Sequence, residues 1–283
     1  MTTTINTRAL LVNLSVSTWT ARKFDRAISD EIAAQHGAAG DAGRYNKALI
    51  QGDSYKALIK CAQAARTEHY FQTLAWSDEG WRLLPTANHS TYAEQMRHHK
   101  DRFEAALLAF VADYPALKEV ARLRLNGMFK DSDYPAAEQI ADRFRMSIEY
   151  TPVPAAGDFR LDELTADQLQ QVEQSVSSRV EQATADAVRD AWRRLHDVVG
   201  AMRERLAQPE AIFRDSLVEN ARDVVDVLGR LNVTGDKNLA AMCDKVRSDL
   251  TAYTPEQLRT APAVRQETAD KASAILSAMR EVS

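Results

Sequence analysis

Residues 165–207 read TADQLQQVEQSVSSRVEQATADAVRDAWRRLHDVVGAMRERLA, and no glycine or proline interrupts this run before Gly200. Thr165 and Gln168 have the spacing of a capping box, in which the two side chains satisfy backbone amides at the beginning of a helix. The run therefore predicts one continuous helix from Thr165 to about Ala207. At 1.5 Å per residue, such a helix is roughly 60 Å long.

Apolar residues recur along this helix with steps of mostly three, four and four residues. The resulting 11-residue repeat is typical of a nearly straight or slightly right-handed helix face rather than of a leucine zipper. A face of this length exceeds what one folded-back helix covers, so we expect self-association or a protein partner. This candidate oligomer or partner surface, called the stripe below, consists of Leu169, Val172, Val176, Val180, Ala187, Ala191, Val198 and Met202.

The rest of the C-terminal sequence predicts further helices. A helix after Pro209 is followed by one over Asp236–Leu250, by a capping box that begins at Thr254, and by a final helix over Val264–Met279. These helices fold back on the long one in the predicted arrangement. The expected architecture of this part is a coiled-coil-like bundle of long antiparallel helices.

The first part of the chain has a different composition, because 17 of the 20 aromatic residues precede residue 161. Alternating apolar residues predict a strand at about residues 9–17 and another at Met146–Tyr150, and residues 73–85 are typical of a hairpin. Helices are expected between these strands, one of them from Thr18 to Gln35. The predicted fold class is mainly α, with an α+β N-terminal part that contains a few short strands.

The segment AAGDFRLDEL at residues 155–164 is the best candidate for a domain boundary. It follows Pro152 and Pro154, which cannot donate to a strand ladder. We therefore predict an aromatic-rich, mostly helical α+β domain over residues 1–157 and a long-helix bundle over residues 158–283.

The tetrapeptide DYPA occurs twice, at residues 113–116 and again at 133–136. Aspartate can cap a helix, and proline fits the first turn of a helix while it blocks the helix before it. The two copies therefore predict two helix starts, with helix breaks at both tyrosines. We expect Val120 and Ile140 to be buried and both aspartates to lie near backbone amides.

The composition excludes several classes of protein. With a net charge of −4, the chain lacks the overall positive charge that is typical of many nucleic-acid-binding proteins. Cys61 and Cys243 lie far apart without a CxxC motif, which excludes a disulfide scaffold and suits a reducing cytoplasm. Met1 is followed by three threonines rather than by a basic and apolar leader, and no apolar run reaches the length of a membrane helix. We expect a cytoplasmic protein, in the host cytoplasm if a phage encodes it, with no membrane contact.

No motif for catalysis or for a cofactor is present, since GxGxxG, GxxxxGK[ST], GxSxG and HExxH are all absent. In RHHKDR, at residues 97–102, His98 and His99 are adjacent and point about 100° apart on a helix, so they share one metal ion poorly. We predict no catalytic, cofactor-binding or metal-ligating residue, and a protein that is not an enzyme. An enzyme with a site assembled from scattered residues is the alternative left open.

Basic side chains in the aromatic-rich half indicate a second class of function. Cations beside aromatic rings are how single-strand-binding proteins hold the phosphate backbone and stack the bases, and Phe129, Tyr134 and Phe144 would supply the rings. The alternative is that these rings are core and that the arginines pair with nearby carboxylates. The candidate nucleic-acid contacts are Arg97, Lys100, Arg102, Lys118, Arg122, Arg124, Lys130, Arg143 and Arg145.

Several longer segments carry a family resemblance. They are LSVSTWTARKFD (14–25), TLAWSDEGWRLLP (73–85), the paired DYP segments, YTPVPAAGDFRL (150–161), IFRDSLVENARDVVDVLGRLNVTGD (212–236) and ADKASAILSAM (269–279). Together they resemble a family of bacterial and phage proteins of unknown function, whose members tend to be encoded beside a MoxR-type (cobaltochelatase-like) AAA+ ATPase and a von Willebrand A-domain protein. The resemblance implies an ATPase partner and no catalytic residues.

These observations lead to two hypotheses of different classes. The first is a non-enzymatic helical adaptor or assembly protein of a phage or prophage, which associates with itself or with such an ATPase. The second is a protein that binds single-stranded DNA in phage DNA metabolism or recombination.

Overall fold

A computed structural model of the chain describes residues 5–77, 80–155, 165–208 and 210–282. The strands are β1 (Ala9–Ser17), β2 (Arg22–Phe24), β3 (Asn46–Ala48), β4 (Leu74–Ala75), β5 (Arg82–Pro85) and β6 (Arg145–Pro152). The α-helices are α1 (Arg26–Gln35), α2 (Asp53–Phe71), α3 (Thr86–Leu125), α4 (Ala166–Leu206), α5 (Ser216–Leu231), α6 (Lys237–Leu250), α7 (Pro255–Thr260) and α8 (Pro262–Val282). The predicted fold class is confirmed, because the protein is mainly α with a small sheet in its N-terminal part and long helices after it.

The chain forms two compact units, each of which is discontinuous in sequence. One, called the bundle unit below, contains Met1–Asn13, His69–Ala93 and Glu149–Ser283, and the other, called the aromatic unit, contains Leu14–Glu68 and Glu94–Ile148. The boundary that the sequence predicts between residues 157 and 158 lies outside the described residues and stays a prediction. Within the described ranges, no helix is long and apolar enough to cross a lipid bilayer.

Strands β4, β5, β1 and β6 form a sheet in that order. Strand β5 pairs antiparallel with both β4 and β1, which places Leu83 opposite Leu74 and Pro85 opposite Ala9. The hairpin predicted at residues 73–85 is confirmed as β4 and β5, while two residues of its turn lie outside the described ranges. The strands predicted at residues 9–17 and around Ile148 are confirmed as β1 and β6.

Helix α4 begins and ends close to where its sequence predicts. Thr165 is the N-cap, since its hydroxyl accepts from the Gln168 amide at 3.3 Å while the Gln168 side chain accepts from the Thr165 amide at 2.9 Å. At the other end, the buried Arg265 of α8 donates to the carbonyl oxygens of Arg205 and Leu206 at 3.0 and 3.1 Å. These donors satisfy carbonyls that the last turn of a helix leaves free.

The core of the bundle unit lies where α5, α6 and α8 pack against α4. Helix α4 contributes its buried residues from Ala183 onward, with Leu195 and Val199 fully covered. The helices predicted after α4 are present, but the one expected directly after Pro209 begins only at Ser216. Asp236 is the N-cap of α6, and a capping box at Thr254 opens the short α7. The bundle thus forms around the carboxy-terminal half of the longest helix of the unit.

Aromatic rings form the core of the aromatic unit. The ring centroid of Phe110 lies 5.6, 5.8 and 5.4 Å from those of Tyr55, Tyr114 and Phe144. Trp19 packs edge-on against Tyr114 at 6.1 Å. Tilted and edge-on pairs of this kind contribute about 0.5–1.5 kcal/mol each beyond the burial of their area. Phe110 is therefore the centre of this core.

A buried lysine links three segments of the aromatic unit. Lys47 in β3 places its Nζ 3.1 Å from Asp25 and 2.7 Å from Asp133, and it donates to the carbonyl oxygen of Met128 at 2.9 Å. Burial lowers the pKa of Lys47, but the hydrogen bonds to Asp133 and Asp25 outweigh it, so that the pKa is raised. The charged lysine therefore ties Asp25, the N-cap of α1, to the segment that follows α3.

The helix predicted from Thr18 to Gln35 is wrong in its first half. Residues 22–24 form strand β2, which pairs antiparallel with β3, and α1 begins only at Arg26. Ala21 has a left-handed φ of 52°, which a right-handed helix excludes. The periodicity of this segment does not reveal the pairing, because the partner strand lies farther along the chain.

The break predicted at Tyr114 is also wrong, since α3 continues through Pro115. A proline inside a helix costs about 3 kcal/mol. Here the hydroxyl of Tyr114 donates to the carbonyl oxygen of Pro135 at 2.8 Å, and its ring packs against Phe110. These tertiary contacts hold the helix in place despite the proline.

The second DYPA segment behaves differently from the first. It is followed by short 3-10 turns rather than by the predicted helix, and the extended backbone at Tyr134 confirms the predicted break there. Ile140 is buried as predicted, whereas Val120 is 55% exposed and that prediction is wrong. The sequence predicts that Asp133 lies near backbone amides, but its main contact is the ion pair with Lys47.

Candidate functional site

The stripe on α4 divides into a covered and an uncovered part. Ala187, Ala191 and Met202 are buried in the core of the bundle unit, and Val180 and Val198 pack against that core. This part of the predicted stripe therefore serves the fold of the chain itself.

The amino-terminal part of the stripe consists of Leu169, Val172 and Val176. These side chains are half-buried and lie outside the core that the described residues form. The reason is a mismatch in length, since α4 has 41 residues while α8 has 21 and α5 has 16. At 1.5 Å per residue, α8 spans about 30 Å of the roughly 60 Å of α4. The described helices of the bundle unit thus leave the first turns of α4 without a packing partner.

A groove of about 320 Å³ lies where the covered part of α4 begins. Its lining is mostly apolar with one cation, and it consists of Trp76, Ser77, Pro154, Val176, Arg179, Val180 and Ala183. Sequence reasoning missed Trp76 and Pro154, because nothing in their own segments indicates which helix they meet. The groove and the uncovered stripe form one continuous apolar surface through Val176.

A buried carboxylate on α4 was missed as well. Asp190 Oδ2 lies 2.7 Å from Arg194 Nη2 and 4.0 Å from Arg82 Nη2. Arg194 also donates to the carbonyl oxygens of Phe71 and Thr73 at 2.9 and 2.7 Å. Burial raises the pKa of Asp190, but the neighbouring arginines outweigh it and hold that pKa below its usual value. Asp190 therefore stays ionised and holds the arginine that caps the end of α2.

A buried histidine–tyrosine pair is a further titratable feature of the bundle unit. His69 Nδ1 lies 2.8 Å from the Tyr92 hydroxyl. Burial, together with the charge of Arg82, lowers the pKa of His69 to about 4. Such a pair has the geometry of a general base and its donor, but His69 is only 3% exposed, so a substrate does not reach it.

The burial of His69 predicts a pH dependence of stability. Between about pH 6.5 and pH 4 the unfolded chain protonates this histidine while the folded chain keeps it neutral, so the free energy of unfolding falls as the pH falls. The expected loss is about 2 kcal/mol at about pH 5 relative to neutral pH. Denaturant titrations at several pH values across this window give the free energy of unfolding as a function of pH. This free energy should change less steeply with pH for His69→Gln than for the wild type. His98 is exposed, so His98→Gln is the matched control. An equal pH dependence of the free energy of unfolding in all three proteins would contradict the burial of His69.

The candidate nucleic-acid contacts all lie in the aromatic unit, in two groups. Arg97, Lys100 and Arg102 are exposed on α3, and Lys100 lies 3.8 Å from Glu104. Lys118 follows 16 residues later on the same helix, about 24 Å away. The structure therefore does not gather these cations into one patch.

The second group is engaged in contacts of its own. Lys118 and Arg122 both bind Asp131, at 3.1 and 3.2 Å, and they lie over the rings of Tyr134 and Phe129. The two rings stack on each other with centroids 5.0 Å apart. Cations and rings that are already paired in this way offer less to phosphates and bases.

Three further candidates are exposed and one is bound to backbone. Arg124 donates to the carbonyl oxygens of Ala48 and Leu49, whereas Lys130, Arg143 and Arg145 are exposed. Phe144, a predicted stacking ring, is buried beside Phe110. The nucleic-acid surface stays a prediction of the sequence, and the pairing of its central cations does not favour it.

Among the residues that the structure describes, no group of three or more His, Cys, Asp or Glu side chains could hold a metal ion. Comparisons of this chain with family models, with curated proteins and with solved structures find no match. The class of protein is therefore argued from the geometry of α4 and its groove.

Proposed function

We propose that this protein is a non-enzymatic helical adaptor or assembly protein that associates with a second copy of itself through the amino-terminal part of the stripe. The observation that carries the proposal is the uncovered face of Leu169, Val172 and Val176 on a helix whose packed neighbours are about half its length. Full burial of an exposed valine or leucine side chain is worth roughly 1.5–3 kcal/mol, and these half-buried side chains would gain only part of that on association. In a two-fold pair both copies contribute these side chains, so each contact is made twice.

The family resemblance extends this proposal to a partner. It suggests that the self-associated protein acts beside a MoxR-type AAA+ ATPase encoded at the same phage or prophage locus. An affinity-tagged copy should then retain this ATPase in a pull-down from cells that carry both genes. If the purified ATPase does not bind under any nucleotide condition, the partner is wrong while the self-association is unaffected.

Two glutamates on the stripe are expected to abolish self-association. The variant Val172→Glu/Val176→Glu places two charges on the apolar face, and their burial against a second copy is strongly unfavourable. In sedimentation velocity the wild type should sediment as a dimer and this variant as a monomer. Circular dichroism should be unchanged, because both sites lie outside the core of the described residues.

The matched control carries the same two charges on the opposite face of the same helix. Gln170 and Gln174 are exposed, so Gln170→Glu/Gln174→Glu should sediment like the wild type. A wild type that is monomeric at all concentrations, or a control that dissociates as fully as the stripe variant, would refute the proposed surface.

A further inference from the structure

We propose that the chain forms an amide bond within itself, between Nζ of Lys47 and the side-chain carboxyl of Asp133, with Asp25 as the group that moves the proton. Such an isopeptide bond concerns the aromatic unit alone and is independent of the self-association proposed above. The three side chains come from β3, from the segment after α3 and from the N-cap of α1. A buried amine in contact with two buried carboxyl groups carries the inference.

The amine and the carboxyl lie within reacting distance of each other. Nζ of Lys47 is 2.7 Å from Oδ2 of Asp133 and 3.1 Å from Oδ2 of Asp25. Among the residues that the structure describes, no other donor satisfies the buried Oδ2 of Asp133. Holding two reacting groups about 3 Å apart can be equivalent to an effective concentration of about 10⁵ M or more.

The segment that carries Asp133 is held in place from both sides. Before it, the carbonyl oxygen of Met128 accepts a hydrogen bond from Lys47 at 2.9 Å. Directly after it, the hydroxyl of Tyr134 donates to the carbonyl oxygen of Leu49 at 3.1 Å. Both contacts lead to β3 or to the residue after Ala48, where β3 ends, so they keep the carboxyl beside the amine.

The surroundings of the three groups favour condensation. The side chain of Lys47 is 2% exposed, and those of Asp25 and Asp133 are 8% and 10% exposed. Charges cost free energy in such a place, and formation of the amide removes the charge of the lysine and that of one aspartate. The same burial keeps bulk water from the product, which slows hydrolysis of the new bond.

The reaction needs no group from outside the site. Lys47 is charged beforehand, so Nζ first passes one proton to Asp25 and becomes a neutral amine, the nucleophilic form of lysine. Its lone pair attacks Cγ of Asp133, and the C–N bond forms as the bond from Cγ to Oδ2 breaks. The leaving oxygen takes back the proton from Asp25 and a second proton from the nitrogen. One water molecule leaves, and Asp25 ends ionised as it began.

The mass of the intact, full-length protein tests the bond. After several days at neutral pH, the wild type should be lighter than its sequence by one water molecule. Trypsin does not cleave after an acylated lysine, so the digest should contain residues 45–56 joined to residues 131–143. The wild-type mass is decisive whether or not the variants fold.

Three variants assign the atoms. Lys47→Arg keeps the positive charge without a nucleophilic amine and should have the full mass of its sequence. Asp25→Asn still suits a helix N-cap but cannot accept the proton, so its condensed fraction should rise far more slowly. Lys56 is exposed and lies 3.3 Å from Asp53, so Lys56→Arg is the matched control and should lose water as the wild type does.

Each other outcome overturns a defined part of the proposal. A wild type that keeps the full mass of its sequence means that the three groups form only an ion pair, and the bond is refuted. A wild type that is lighter by one water without the joined peptides has lost water elsewhere, which also refutes it. If Asp25→Asn condenses as fast as the wild type, the bond stands and the role of Asp25 is wrong.

Discussion

Replacing Asp190 with alanine is expected to destabilise the bundle unit by about 3–5 kcal/mol, because it leaves buried arginines without their counter-charge. The carboxylate is 8% exposed, and it neutralises Arg194 at 2.7 Å and Arg82 at 4.0 Å. Arg194 would then lose the ion pair that orients its guanidinium toward the carbonyl oxygens at the end of α2. Chemical denaturation at neutral pH measures the loss as a lower free energy of unfolding.

The matched control is Asp197→Ala on the same helix. Asp197 is 63% exposed and lies 3.8 Å from Arg193, so its removal should cost no more than about 1 kcal/mol. Because the pKa of Asp190 is depressed in the folded chain, its contribution is present above the unfolded value of about 4 and is lost as the pH falls below it. The deficit of Asp190→Ala should therefore shrink in acid. Equal costs for the two variants would contradict the buried position of Asp190.

Replacing Phe110 with alanine is expected to destabilise the aromatic unit by about 3–5 kcal/mol, the usual cost of removing a buried phenylalanine. Phe110 is fully buried and contacts the rings of Tyr55, Tyr114 and Phe144. The variant would leave a cavity at the point where these rings converge. Near-ultraviolet circular dichroism and denaturant titration should both report the loosened core.

Leu108→Ala is the control for this change, because Leu108 lies two residues away on α3 and is 73% exposed. Its expected effect is within about 0.5 kcal/mol of zero. A loss at Leu108 as large as that at Phe110 would mean that the outer face of α3 is packed rather than exposed.

Local sequence was sufficient to predict α4. Its first residue, Ala166, and its last, Leu206, lie within one residue of the predicted ends. The capping box and the apolar steps act within one or two turns, so they can be recognised without knowledge of the rest of the fold. The same is true of Asp236 and Thr254, which cap α6 and α7.

The errors arose where distant contacts decide the local structure. Proline at position 115 predicts a helix break, but the contacts of Tyr114 with Pro135 and Phe110 keep α3 continuous. Residues 22–24 become a strand because β3 pairs with them. Neither partner is evident from the segment itself.

The candidate site was predictable only in part. The spacing on α4 indicated the stripe, but the point at which the chain stops covering it depends on the lengths of α5 and α8. The groove beside Val176 needs Trp76 and Pro154 from two other segments. For the same reason, the pairing of Asp190 with Arg82 could not be read from its neighbours in sequence.

The most direct test of the central claim is the molar mass of the unmodified protein by light scattering across a dilution series. We expect a mass near twice the 31.6 kDa of one chain at high concentration, falling toward the single-chain value on dilution. A mass of one chain at every concentration would contradict self-association through α4.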